Sequence, residues 1–175
     1  MKRRTIAWTS VAAAILVVGL WVATAQPSHA LPPVTKIDRI HVDKSDHVMT
    51  VFSAGQPVHS FRVALGRGGL GPKIKQGDGR VPEGKYLITD RNPQSAFYLS
   101  LRIGYPTPEQ IAAAQARGID PGGDIMIHGL PTGRGWLGQR HRRVDWTQGC
   151  IAVTNEEMRW LWQAVADGTP IEIVA

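Results

Sequence analysis

Two residues of this 175-residue chain have the types needed for covalent chemistry together: its only cysteine, Cys150, and His128. A thiol becomes a working nucleophile when its pKa is lowered or a base stands beside it. Cys150 follows the polar turn Thr147-Gln148-Gly149 and runs directly into the apolar stretch Ile151-Ala152-Val153. His128 closes another apolar stretch, Ile125-Met126-Ile127, and is followed by Gly129. A histidine and a cysteine at the ends of two buried strands can be neighbours in space although far apart in sequence, which meets the requirement for a nucleophile and its general base. Backbone N–H groups of Gln148, Gly149 and Cys150 can converge on a developing oxyanion, and Gly149 permits the tight backbone this needs. Thr147 either supports that turn or donates a hydrogen bond of its own. The competing reading of Cys150 is a buried, inert thiol.

The other histidines are weaker candidates. His141 lies in Gly138-Gln139-Arg140-His141-Arg142-Arg143, which reads as a basic, exposed loop, while His41, His47 and His59 read as surface or satisfied polar positions. No HxxxH or CxxC spacing is present, so a metal site is not expected. The order histidine then cysteine is the reverse of papain-like peptidases and argues against them.

The elements that must position this pair are short strands. Residues 37–42, 47–53 and 57–65 form an expected antiparallel meander, with Phe61, Val63 and Leu65 alternating as a half-buried strand does. Residues 66–84 are glycine-rich but lack the Gly-Lys-Ser/Thr end of a phosphate loop, so they read as a long surface loop with glycines at positive φ. Its Arg67, Lys73, Lys75 and Arg80 are candidates to face an acidic ligand. Strands are expected at 84–89, 97–103 and 171–174. Thr107-Pro108-Glu109-Gln110 starts a helix that stops at Gly118, and Thr154 with Glu157 starts a second. Met158, Leu161, Trp162 and Val165 give the second helix an apolar stripe.

Composition, at 43% hydrophobic and 19% charged, is that of a globular domain. Net charge is +6, which suits an acidic partner without choosing among nucleic acid, anionic lipid and acidic wall polymer. Lys2, Arg3 and Arg4 precede an apolar run over 6–25, with small-x-small sites at Ala23-Thr24-Ala25 and Ser28-His29-Ala30. This is the pattern of a signal peptide, or of an uncleaved anchor in the inner membrane, and either places the folded part outside the cytoplasm, in the periplasm or cell envelope. Residues 1–30 are thus assigned to targeting with a short tether, and 36–175 to one catalytic domain. A lone cysteine in an exported protein cannot bridge within its chain, which leaves it buried or working.

His128-Gly129 followed by Thr147-Gln148-Gly149-Cys150 resembles the L,D-transpeptidase catalytic domain, the YkuD-like family, whose pattern is a His-Gly strand and then Ser/Thr-x-Gly-Cys. Residues 77–86, 92–106, 121–129 and 145–158 extend the resemblance, which covers roughly 36–174. It implies a mainly β, sandwich-like fold with a few flanking helices, and no metal or organic cofactor. It implies that Cys150 attacks a peptidoglycan tetrapeptide stem at its third residue, releases D-Ala and passes the thioester to an amine, with His128 as base. The partners implied are stem peptides, with no nucleic acid, and a monomer is expected. Many members of the family carry His where this chain has Gln148, and Arg where it has Ala152. Arg140, Arg142 or Arg143 are candidates to supply that charge to substrate, beside Gly129. Water in place of the amine would make the same site an L,D-endopeptidase; a wall-binding module with a structural Cys150 is the non-catalytic alternative.

Overall fold

A computed structural model describes residues 30–175; the expected signal segment lies outside the described residues. Eight strands run β1 (Arg39–Asp43), β2 (Val48–Ser53), β3 (Gln56–Arg62), β4 (Gly84–Asn92), β5 (Ser100–Ile103), β6 (Met126–His128), β7 (Ile151–Ala152) and β8 (Pro170–Val174). Two α-helices, α1 (Pro108–Gln115) and α2 (Asn155–Ala164), and a kinked 3-10 segment (Gly135–Arg143) complete the domain.

The strands make one sheet in the order β3-β2-β1-β8-β4-β5-β6-β7. The first three form the expected antiparallel meander. The chain's last strand, β8, then inserts beside β1 in parallel, Ile40 opposite Ile171, and beside β4 antiparallel, Tyr86 opposite Ile171. Beyond β3 the chain stays extended and meets the other edge of the sheet. Ala64 and Ala152 exchange backbone hydrogen bonds of 3.0 and 2.8 Å, and Arg67 N–H donates to Thr147 O at 3.0 Å. The sheet therefore curls until its edges touch, which is the form the expected sandwich takes here. Closure also gives β7 a backbone partner on its outer side, at Ala152.

Alternation in β1 sends Ile40 and Val42 inward, and the core continues through Phe61, Val63, Leu65, Leu101 and Ile127. Both helices start as the capping pattern requires, with Thr107–Gln110 and Thr154–Glu157 each making reciprocal side-chain and backbone bonds. Helix α2 buries Met158, Trp160, Leu161 and Ala164. Trp160, outside the expected stripe, donates through its indole N–H to Pro32 O at 2.7 Å. Trp162, inside that stripe, is only partly buried and packs under the Arg91 guanidinium.

Candidate active site

The site is built where β6 and β7 lie side by side. They pair in parallel, Ile127 opposite Ile151 and His128 opposite Ala152, which sets Cys150 level with Met126 and on the same face of the sheet as His128, two positions away. His128 and Cys150 line one cavity of about 420 Å³ together with Phe97, Trp146, Thr147 and Gln148. The ring of Phe97 stands 4.5 Å from the imidazole and that of Trp146 5.6 Å, centroid to centroid.

The His128 imidazole is buried, and its Nδ1 lies 2.7 Å from Gly129 O. A carbonyl can only accept, so Nδ1 carries the proton and Nε2 keeps its lone pair. Burial lowers the pKa of the ring, against the smaller raising effect of the Gly129 carbonyl. The result is a neutral, oriented imidazole. Gly129 itself is hemmed in: a Cβ there would meet Asn155 Oδ1 at 2.7 Å and Phe97 O at 3.0 Å. Its contribution is the carbonyl that holds His128, and it does not line the cavity.

Burial also pushes the Cys150 thiol up, with a hydrogen bond from Met126 N–H working the other way. Sγ lies 3.5 Å from Asp124 O, to which it donates. Asp124 adopts φ 56°, a left-handed conformation that aspartate tolerates, and this turns the chain into β6 beside the sulfur.

The turn before the cysteine is tied by Thr147. Its Oγ1 donates to Cys150 O at 2.7 Å and accepts from Gly149 N–H at 3.2 Å. These bonds engage Thr147 and the Gly149 N–H in the turn itself. Gly149 has φ 123°, and a Cβ on it would meet Arg80 O at 2.8 Å, so conformation and space both require glycine.

That contact corrects the reading of the glycine-rich segment. Positive φ holds at Gly69, Gly77 and Gly79, but a Cβ on Gly66 would meet Gly79 O at 2.1 Å. The segment clasps the nucleophile's turn. Two of its four candidate cations are committed, Lys73 to Asp78 at 2.8 Å and Arg80 to Gly68 O at 3.0 Å, whereas Arg67 and Lys75 are exposed. Lys73 and Arg80 hold the clasp together.

The basic segment also differs from expectation. His141 is buried, not exposed, and burial followed by the adjacent Arg142 charge lowers its pKa to about 4. Arg142 pairs with Glu157, the capping residue of α2, so its charge is spent within the fold and it is withdrawn as a substrate cation. Arg143 is exposed and lines neither this cavity nor the adjoining one, whereas Arg140 lines the latter. Sequence reasoning missed Phe97 and Trp146 as walls, Asp124 as the thiol's acceptor, and Asp145 as the anchor of the turn. Asp145 Oδ1 accepts from Leu65 N–H at 2.8 Å and Oδ2 lies 2.9 Å from His47 Nε2. The sequence carried one usable signal, the Trp146 aromatic placed immediately before the Thr-x-Gly-Cys turn. Among the described residues no group of three or more His, Cys, Asp or Glu could hold a metal, and no helix is long and apolar enough to cross a membrane.

A family model described as the L,D-transpeptidase catalytic domain (YkuD) matches residues 37–173. Among curated proteins, the candidate L,D-transpeptidase YafK of Escherichia coli K12 is 34% identical over 113 residues, 63% of this chain and 38% of YafK. The chain thus spans about two fifths of the length of that relative. Among solved structures, the helical cell shape determining protein Pgp2 of Campylobacter jejuni aligns with TM-score 0.60 at 23% identity, covering 79% of this chain and 48% of Pgp2. An L,D-transpeptidase from Xylanimonas cellulosilytica aligns with TM-score 0.52 at 16% identity, over 82% of this chain and 63% of that one. Likeness at these identities is likeness of fold.

Proposed function

Since the chain belongs to the family of L,D-transpeptidase catalytic domains, we propose that it is a cysteine-dependent acyltransferase of peptidoglycan stem peptides. One observation carries this reading: Cys150 and a neutral His128, its Nδ1 bound to a carbonyl, line the same cavity. Cys150 Sγ attacks the carbonyl carbon of the stem's third residue as its proton passes to His128 Nε2. The oxyanion is met by Gln148 and Cys150 N–H. The C–N bond breaks, the imidazolium returns the proton to the departing D-Ala nitrogen, and a thioester remains. An acceptor amine then attacks the thioester, His128 takes its proton, and the thiolate sulfur recovers it. Aromatic walls from Phe97 and Trp146 exclude water from the intermediate. The basic Lys2–Arg4 start and the apolar run over 6–25 support export to the cell envelope, where this substrate is found.

The test is the chain from about residue 26 onward, incubated with tetrapeptide muropeptides and followed by mass spectrometry. Loss of D-Ala with a cross-linked dimer, through an acyl-enzyme on Cys150 that Cys150→Ala lacks, is the expected result. Tripeptide without dimer would assign the acceptor as water. Absence of both turnover and acyl-enzyme, with alkylation of Cys150 indifferent to His128→Ala, would replace the enzyme with a wall-binding module.

A further inference from the structure

The stretch from Ile125 to Val144 contains Arg134, Arg140, Arg142 and Arg143 and no aspartate or glutamate. Arg142 is taken by Glu157. Arg134, Arg140 and Arg143 are exposed, and none of them belongs to an ion pair among the described residues. The same stretch carries Trp136, 74% exposed, and Val144, 66% exposed, the two most exposed large apolar side chains of the described residues. Arg134, Arg140 and Val144 line one cavity of about 240 Å³, so they share a surface, and Trp136 and Arg143 adjoin its Leu137 and Val144 in sequence. Guanidiniums suit the phosphates of lipid headgroups, and an indole, apolar with one polar N–H, suits the boundary between water and acyl chains.

Helix α2 ties this stretch to the start of the domain. Its Glu157 holds Arg142, and three residues on, Trp160 donates its indole N–H to Pro32 O at 2.7 Å. Positions three apart are neighbours on a helix surface, so the basic stretch and the entering chain are fastened within one turn of each other, about 5.4 Å along the axis. In sequence, the apolar run over 6–25 ends shortly before Pro32, and the chain from Ala25 to Pro32 reaches at most about 25 Å when fully extended. A run of that kind brings a chain to a bilayer, whether it is later cleaved or kept.

We propose that this surface docks the folded domain on an anionic lipid bilayer, with Arg134, Arg140 and Arg143 facing headgroup phosphates and Trp136 and Val144 set at the edge of the acyl layer. The arginines alone would serve an acidic wall polymer equally well. The exposed apolar side chains decide for lipid, since they gain only by leaving water for an apolar layer, and the entering chain is fastened beside them. Trp146 lines both this cavity and that of Cys150, so docking holds the nucleophile's cavity near the bilayer. The inference stands whether or not Cys150 transfers acyl groups.

Two measurements test this, using vesicles of phosphatidylcholine alone or of equal parts phosphatidylcholine and phosphatidylglycerol. In the first, the full chain is reconstituted in vesicles whose acyl chains carry bromine, which quenches nearby tryptophans. Part of the quenching should depend on Trp136, disappear in Trp136→Ala, and occur only with phosphatidylglycerol. In the second, the chain from about residue 26, which lacks the apolar run, is sedimented with the same vesicles. It should bind those with phosphatidylglycerol and not the others, and salt at about 1 M, where the screening length is about 3 Å, should release it. Arg134→Gln, Arg140→Gln and Arg143→Gln should each weaken binding by about 5-fold, whereas lysine at all three positions should retain the dependence on anionic lipid. Equal binding to both vesicles, binding to neither at low salt, or wild-type binding by the triple glutamine variant overturns the proposal, and so does quenching that Trp136→Ala leaves unchanged. Binding to isolated peptidoglycan that the triple glutamine variant loses, with no binding of the wild type to vesicles, also overturns it and assigns the surface to the wall.

Discussion

His128 and Cys150 are both held towards their uncharged forms, because burial lowers the imidazole pKa and raises that of the thiol. The pair therefore rests as thiol and imidazole, and proton transfer accompanies attack on the substrate. Alkylation of Cys150 by iodoacetamide should keep rising with pH past the ordinary thiol range near ~8.5, with no plateau in mild acid such as a preformed thiolate gives. The acid limb of kcat/KM should lie below the ordinary histidine value of ~6.5, since Nε2 stays free of its proton further into acid. Replacing His128 by Ala should slow acylation by roughly 10²–10⁴-fold, measured as acyl-enzyme formation. The residue types at 128 and 150 were legible from sequence. The protonation states were not, since they depend on burial and on the Gly129 carbonyl.

The elements explain why the pair meets. Parallel pairing of β6 with β7 sets Ile127 against Ile151, both fully buried, and places Cys150 on the same sheet face as His128, diagonally two positions away. Ile127→Ala should cost about 2–5 kcal/mol by urea denaturation, and activity should fall with it as the register loosens. Thr147→Val keeps the shape of the side chain but leaves Gly149 N–H and Cys150 O without their partner. A loss of about 1–3 kcal/mol is expected in the same measurement. Thr154→Ala removes the side-chain half of the α2 capping box and should cost about 0.5–2 kcal/mol. These caps and strand faces were readable because each depends on residues a few positions apart. The 3-10 segment was not. Its charges resemble a solvated loop, and only the contact with α2 turns Arg142 towards Glu157 and buries His141 beside Trp146.

At the scale of the molecule, closure of the sheet is what assembles the site. Ala64 meets Ala152, Gly66 meets Thr147, and Asp145 ties Leu65 and His47 to the nucleophile's turn. Buried Lys44, paired with Glu83 at 2.6 Å, fixes the glycine-rich clasp to the meander from below. Acid should loosen this assembly through its buried histidines. The folded-state pKa of His141, about 4, lies below the unfolded value of 6.5, so the unfolded chain binds more protons between them. The contribution is fully present above pH 6.5 and is lost as pH falls towards 4. Thermal unfolding followed across that window should show the melting temperature falling with acid, and His141→Phe should flatten the slope.

By itself the sequence determined the local features: strand alternation, two helix caps, a Thr-x-Gly-Cys turn and a histidine closing an apolar run. Each depends on near neighbours and on the intrinsic preferences of the chain. From these it also carried the mainly β class and the family. The tertiary structure alone decided the insertion of β8 between β1 and β4, the meeting of the sheet's edges, and which cations are spent on internal carboxylates. It also decided that His141 is buried while Arg134, Trp136 and Arg140 stay exposed. Those outcomes depend on pairings between distant segments and on desolvation, and neither burial nor a long-range partner is encoded in the spacing of adjacent residues.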